Sequence, residues 1–182
     1  MDTLHVNGTE YRVLRLLGRG KGGYSYLVER EGQHFVLKQI HHEPCAYYSF
    51  GDKLQSELND YAHLQAIGVP MPKMLDVDHA QERILKEYIE GDTVYDLVMA
   101  DALPDWCIPR MEALCSRLYA ANTNIDYFPT NFIPVDGTLF YVDYECNAYM
   151  EAWNFANWGM KYWSKTPAFL QYMQEHPRNE VE

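Results

Sequence analysis

The stretch LGRGKGGYSYLV, Leu17 to Val28, decides how this chain is read. Four glycines occupy the six positions from Gly18 to Gly23, and a lone lysine, Lys38, follows in FVLK ten residues after Val28. Such a turn is either a surface hairpin or a backbone cradle for phosphate oxygens, because residues without side chains let the main chain approach an anion closely. The Gly18-x-Gly20-x-x-Gly23 pattern alone does not separate the two, but its flanks narrow the choice. A dinucleotide fingerprint needs a strand before the glycines and a helix after them. Here TEYRVLRLL precedes and YSYLVER follows, both rich in β-branched and aromatic residues at alternating positions, and QHFVLKQI continues the pattern after a turn at EREGQ. Three antiparallel strands are expected, with the glycines between the first two and Lys38 on the third.

Working outward, GDKLQSELNDYAHLQAIG from Gly51 places Leu54, Leu58, Tyr61, Ala62 and Leu64 at helical spacing and stops at Gly68. This helix carries Glu57, nineteen residues after Lys38. MLDVD and RILKEYI then read as two more strands about a turn at HAQE, which makes five strands and one helix. The second half is mostly helical: VYDLVMA is short, and PDWCIPRMEALCSRLYAAN is longer, with Pro104 and Pro109 tolerable only near helix starts. PTNFIPVDGTLFYVDYE interrupts it with two apolar runs around Asp-Gly, a strong hairpin signal. The closing segment, Tyr149 to Met173, holds Trp153, Phe155, Trp158, Tyr162 and Trp163 and is expected to form a helix that closes a core.

Composition bounds the function. An apolar fraction of 47% and 26 aromatic residues exclude a disordered chain, and no run approaches the roughly 18 apolar residues that span a bilayer. MDTLHVNGTEY has neither a basic start nor an apolar run, so a cytoplasmic protein without membrane attachment is expected. A formal charge of -11 opposes direct nucleic-acid binding and accommodates a basic protein partner more easily. Cys45, Cys107, Cys115 and Cys146 form no CxxC pair, so buried, reduced thiols are expected rather than a zinc cluster or a disulfide framework. His41, His42 and His63 are scattered and read as surface or helix residues.

Two further stretches carry chemistry. NIDYFPTNF sets Asp126 five residues before Asn131, and LFYVDYE puts Asp143 at the end of a hairpin strand. Phosphoryl transfer needs these types: a carboxylate to orient or deprotonate the attacking hydroxyl, and an amide oxygen with a second carboxylate to hold the Mg2+ that neutralises the phosphates. With Gly18, Gly20, Gly23, Lys38, Glu57, Asp126, Asn131 and Asp143 in this order, the chain resembles the eukaryotic-type protein kinase superfamily over residues 10 to 146. Its small size is similar to that of minimal kinases such as the RIO group and the kinase of the tRNA threonylcarbamoyladenosine complex. The resemblance implies an α+β, bilobal protein kinase-like fold in a single domain, 1–182. Residues 1–90 would form an N-lobe with a five-stranded antiparallel sheet and one helix, and 91–182 a reduced helical C-lobe. It also implies ATP and Mg2+ as cofactors, Lys38 and Asp126 as catalytic residues, Asn131 and Asp143 as metal ligands, and Glu57 as the partner of Lys38. LKEYIEG looks like the hinge that receives adenine, through the Glu87 carbonyl and the Ile89 amide.

The chain departs from the family pattern at several positions. The catalytic-loop histidine is replaced by Asn124, the residue two beyond Asp126 is Phe128, and the apolar residue beside the adenine pocket is replaced by Lys86. Asp143-Tyr144-Glu145 is similar to the DxE form of small-molecule phosphotransferases. Only 37 residues follow Glu145, which suggests a short peptide-docking surface. The expected function is transfer of the γ-phosphoryl of ATP to a hydroxyl of a small molecule or a dedicated protein. The alternative is a nucleotide-binding pseudokinase or scaffold subunit, which should have lost at least one of Lys38, Asp126, Asn131 and Asp143.

Overall fold

The computed structural model describes residues 2–43 and 52–177. Gly51 and Cys45, both used above, lie outside the described residues. The chain is mixed α and β and divides into two compact units, Met1–Ala62 with Pro72–Ile89, and His63–Met71 with Glu90–Glu182.

The first unit is built on an antiparallel sheet of six strands rather than five, in the order β1-β2-β3-β4-β6-β5. These are β1 Thr3–Val6, β2 Thr9–Arg19, β3 Gly23–Arg30, β4 Gln33–Ile40, β5 Met74–Asp78 and β6 Arg83–Glu87. The additional strand is β1. It pairs with β2 through a two-residue turn, Asn7 and Gly8, both at positive φ, with Val6 opposite Thr9. Asn7 also donates its backbone N–H to Asp78 Oδ2 at 2.7 Å and its Nδ2 to Asp76 Oδ1 at 2.8 Å, which ties the new hairpin to β5. Glu31 and Gly32 make the same kind of turn between β3 and β4. One side of the sheet buries Val6, Tyr11, Val28, Leu37 and Leu85. Ile40 and Ile84 pack with Leu54 of α1 Lys53–Ile67, whose start is capped by Asp52 Oδ1 accepting the Gln55 N–H.

The second unit contains α2 Val94–Met99, α3 Cys107–Ala120 and α4 Pro167–Glu175. Two small sheets accompany them. β8 Phe132–Val135 and β9 Thr138–Tyr141 form the hairpin expected from Asp-Gly, with Asp136 and Gly137 both at positive φ. β7 Thr123–Ile125 pairs with β10 Cys146–Ala148, strands that the sequence reading did not anticipate. Met111, Leu118, Phe132, Tyr141, Phe155 and Trp163 lie in one core. Residues 63–71, expected with the N-terminal half, belong to this unit. Leu64 and Val69 are buried in its core, Tyr141 donates its N–H to the Pro70 carbonyl, and Arg117 donates to the Gly68 carbonyl.

The aromatic tail is not one helix. It is a 3₁₀ turn at Glu151–Trp153, a π turn at Phe155–Gly159, a second 3₁₀ turn at Met160–Tyr162, and then α4. Close packing explains the break. A Cβ on Gly159 would lie 2.6 Å from the Tyr127 Cβ, and Trp163 donates its indole N–H to the Tyr127 carbonyl at 2.8 Å. Phe155 and Trp163 are core residues as expected, whereas Trp153 is 54% exposed. Cys107 and Cys115 are buried, and Cys146 is only half-buried. Burial pushes the Cys107 thiol up to about 11 and raises that of Cys115, so neither is a poised nucleophile.

Candidate functional site

The candidate residues fall into two sets, one in each unit. In the first, β2 and β3 meet at a turn in which the Gly20 N–H donates to the Gly23 carbonyl at 2.9 Å. None of Gly18, Gly20, Gly22 and Gly23 has positive φ, so the backbone conformation does not require glycine there. Space does, at one of them. A Cβ on Gly23 would sit 2.3 Å from the Gln39 carbonyl oxygen, where β3 runs against β4 opposite Ile40. Gly22 lies over the lysine, since a Cβ there would be 3.8 Å from Lys38 Nζ.

Lys38 points from β4 toward α1, and its Nζ donates to Glu57 Oε1 at 2.8 Å. The two side chains are only 16% and 10% exposed, so this ion pair is shielded in a way that surface pairs are not. Lys53, one turn earlier on α1, is also buried and donates its Nζ to the carbonyls of Lys21 and His41. His41 in turn donates its N–H to the Gly22 carbonyl at 3.2 Å and brings Nε2 within 2.9 Å of the Gly20 carbonyl. The carbonyls of Gly20, Lys21, Gly22 and Gly23 therefore all meet protein donors. A turn whose acceptors are engaged in this way does not present carbonyl oxygens to an anion. Beside it, Glu43 accepts from Tyr24 and Arg19, and these bonds hold its carboxyl below the usual range.

The second set hangs on the β8–β9 hairpin. Its register pairs Phe132 with Tyr141, so Asn131 and Val142 flank the last pair, and Val142 donates its N–H to the Asn131 carbonyl at 2.9 Å. Asp143 is the next residue, which brings it to the same end of the hairpin as Asn131. Asn131 donates its Nδ2 to the Asp126 carbonyl at 3.3 Å, leaving Oδ1 as the amide atom that a cation would meet. Asp143 Oδ1 accepts the N–H of Tyr144 at 2.7 Å and that of Glu145 at 3.4 Å. Asp126 Oδ1 accepts the Phe128 N–H at 3.1 Å, which fixes its carboxylate. Tyr141 is fully buried; its hydroxyl accepts the Asp126 N–H at 3.3 Å and donates to the Glu145 carbonyl at 2.8 Å. Burial, and after it the Asp143 carboxylate, raises this phenol well above the ordinary tyrosine value.

Oxygen donors of this kind suit Mg2+, which usually takes one or two protein oxygens together with phosphate and water. Among the described residues no group of three or more His, Cys, Asp and Glu side chains forms a closed metal cage. Asn124 is buried in a structural role: its Nδ2 donates to the Met150 carbonyl, and its Oδ1 accepts the Tyr127 hydroxyl. The Phe128 ring packs against Tyr95, Trp158, Tyr162 and Tyr172. His63 meets the Thr123 hydroxyl at 2.8 Å. Lys86 is buried on β6 opposite Val36 and Met74. At the end of β6, Glu87 bonds the backbone of Lys73 through its own N–H and its carboxylate, and Ile89 is buried two residues on. Lys53, His41 and Tyr141 were not legible as site residues, because each acts on backbone groups brought near only by folding. Compared with protein-family models and with curated proteins, the chain matches none of them.

Proposed function

We propose that the chain is an ATP- and Mg2+-dependent phosphotransferase with a reduced protein kinase-like fold, acting on an alcohol hydroxyl of a small molecule or a dedicated protein. The observation that carries the reading is the shielded Lys38–Glu57 pair at 2.8 Å, under a glycine turn whose carbonyls are all engaged by protein donors. A lysine held by a carboxylate beside such a turn would meet the α- and β-phosphates of a nucleotide. Adenine would be taken by the Glu87 carbonyl and the Ile89 amide.

In the second unit, Asn131 Oδ1 and the Asp143 carboxylate would hold Mg2+, which supplies charge neutralisation on the phosphates when bound. Asp126, with Oδ1 anchored by the Phe128 N–H, is the base that receives the acceptor's hydroxyl proton. The hydroxyl oxygen then bonds to the γ-phosphorus as the bond to the β,γ-bridging oxygen breaks, and ADP leaves. Phe128 and the aromatic rings around it set an apolar surface beside the base.

The test is calorimetric titration of ATP with and without Mg2+, together with transfer of labelled phosphate, in wild type, Asp126→Asn and Asp143→Ala. Asp126→Asn should keep ATP affinity and lose about 10²- to 10⁴-fold in turnover, the span of general-base contributions. Asp143→Ala should lose the magnesium-dependent part of binding. Equal Mg2+-dependent affinity in wild type and Asp143→Ala removes the metal role. A turnover loss of about tenfold or less in Asp126→Asn favours a nucleotide-binding scaffold.

A further inference from the structure

The end of the β7–β10 ladder contains an irregularity with a chemical use. The strands pair Thr123 with Ala148, Asn124 with Asn147 and Ile125 with Cys146. One more rung would set Asp126 against Glu145. In its place the Tyr141 hydroxyl stands between them, accepting the Asp126 N–H and donating to the Glu145 carbonyl. The two strands are thus held apart by one hydroxyl group at the position where the base and the metal-ligand turn begin.

The ring is fixed independently of that hydroxyl. Tyr141 ends β9 with its side chain in the core, stacked on its cross-strand partner Phe132 at 5.2 Å between ring centroids. Phenylalanine would fill the same space. A hydroxyl in a fully buried position is costly unless both its donor and its acceptor capacity are used, and here both are. The groups it meets are the backbones of Asp126 and of Glu145, two residues from Asp143.

We propose that Tyr141 is a positioning residue whose hydroxyl acts as a spacer, setting the separation between the Asp126 carboxylate and the Asp143–Glu145 turn. This rests on the phosphotransferase reading above. Without the hydroxyl, the Asp126 N–H and the Glu145 carbonyl either pair directly, closing the strands by a rung, or take up water. Both alternatives move the base relative to the metal ligand, and misplacement by about 1 Å costs up to about a hundredfold in rate.

The experiment compares wild type with Tyr141→Phe, measuring the folding midpoint, kcat and KM for ATP, the Mg2+ concentration for half-maximal rate, and the backbone amide NMR shifts of Asp126 and Glu145. The expected result is a folded variant with KM for ATP within about twofold of wild type, kcat down by roughly tenfold to a hundredfold, a shifted Mg2+ requirement and displaced amide signals. A folded variant with wild-type kcat, Mg2+ dependence and amide shifts overturns the proposal. So does failure to fold, since Tyr141 would then be structural. A wild type that binds no nucleotide and transfers no phosphate removes the phosphotransferase reading instead; the amide shifts then decide by themselves whether the spacer exists.

Discussion

Gly18, Gly20 and Gly23 form a G-x-G-x-x-G pattern, but the structure treats them differently, and alanine substitution should separate them. A Cβ on Gly18 meets nothing within 4 Å, and one on Gly20 comes no closer than 3.9 Å to the Gly23 carbonyl. A Cβ on Gly23 lies 2.3 Å from the Gln39 carbonyl oxygen and 3.0 Å from its carbon, while ordinary contacts begin near 3.4 Å. Relief requires β3 and β4 to part by about 1 Å, on a strand spacing of about 4.8 Å. Backbone cannot rotate aside as a side chain can. Overpacking of this kind costs about 1–3 kcal/mol, and a weakened ladder bond adds about 1 kcal/mol. Reduced freedom of the unfolded chain returns about 0.4–1 kcal/mol. Gly23→Ala should therefore destabilise by about 2 kcal/mol, a fall of about 4–8 °C in a chain of this size. Gly18→Ala and Gly20→Ala should stay within about 1 kcal/mol of wild type. Thermal unfolding followed by circular dichroism measures all three. Melting of Gly23→Ala with wild type, or a larger loss in Gly18→Ala, would show that the approach of β3 to the Gln39 carbonyl does not limit this position.

Glu57→Gln keeps an acceptor for Lys38 but removes the opposing charge from a shielded site, so chemical denaturation should register a loss of about 2 kcal/mol; an unchanged midpoint would mean the pair is idle in the folded state. Asp78 is held below the usual carboxylate range chiefly by the Asn7 N–H, and next by that of Gln81. The unfolded chain therefore binds the proton more readily, so this contribution is present above about pH 4 and is lost as pH falls through the lowered folded value. Asp78→Asn should flatten the acid limb of a stability–pH curve, and a limb identical to wild type would count against the assignment. Gly137 sits at φ +81, where a β-branched side chain is strained by about 1–2 kcal/mol. Under the proposed function, Gly137→Val should lower the melting point and weaken Mg2+-dependent ATP binding together, whereas a change in only one would uncouple the hairpin register from the proposed cation site.

The legible parts of this fold were those written in short-range rules. Asp136-Gly137 sits between two apolar runs, and its turn fixes the register that sets Asn131 beside Val142. Lys38 and Glu57 were legible because alternation and helical spacing are both local, and the glycine turn gives them context. Asn7-Gly8 is as good a turn signal as Asp136-Gly137, but β1 is four residues long and half polar, so its apolar pattern is thin. β7 is buried at all three positions and shows no alternation that a period-two pattern could detect. The tail reads as a helix by composition. The contacts of Gly159 and Trp163 with Tyr127 break it, and those depend on tertiary packing. Lys53 reads in sequence as an ordinary solvated lysine at a helix start; its burial follows from the placement of carbonyls more than ten residues away.

Lys53 and Glu57 are four residues apart, about 6 Å along α1, and each holds a different part of the unit, Lys53 the turn carbonyls and Glu57 the ammonium of Lys38. The helix is thus a shared handle on the glycine turn and on Lys38. Any event that tilts or unwinds its first turns releases both at once, so the bracing of the turn and the orientation of Lys38 are gained or lost as a whole. Under the proposed function, the bracing would also preorganise the turn before a nucleotide arrives and remove an ordering cost from binding. Such coupling has a thermodynamic signature. Lys53→Met and Glu57→Gln, each of which loosens the same helix, should together cost less ATP affinity than the sum of their separate effects.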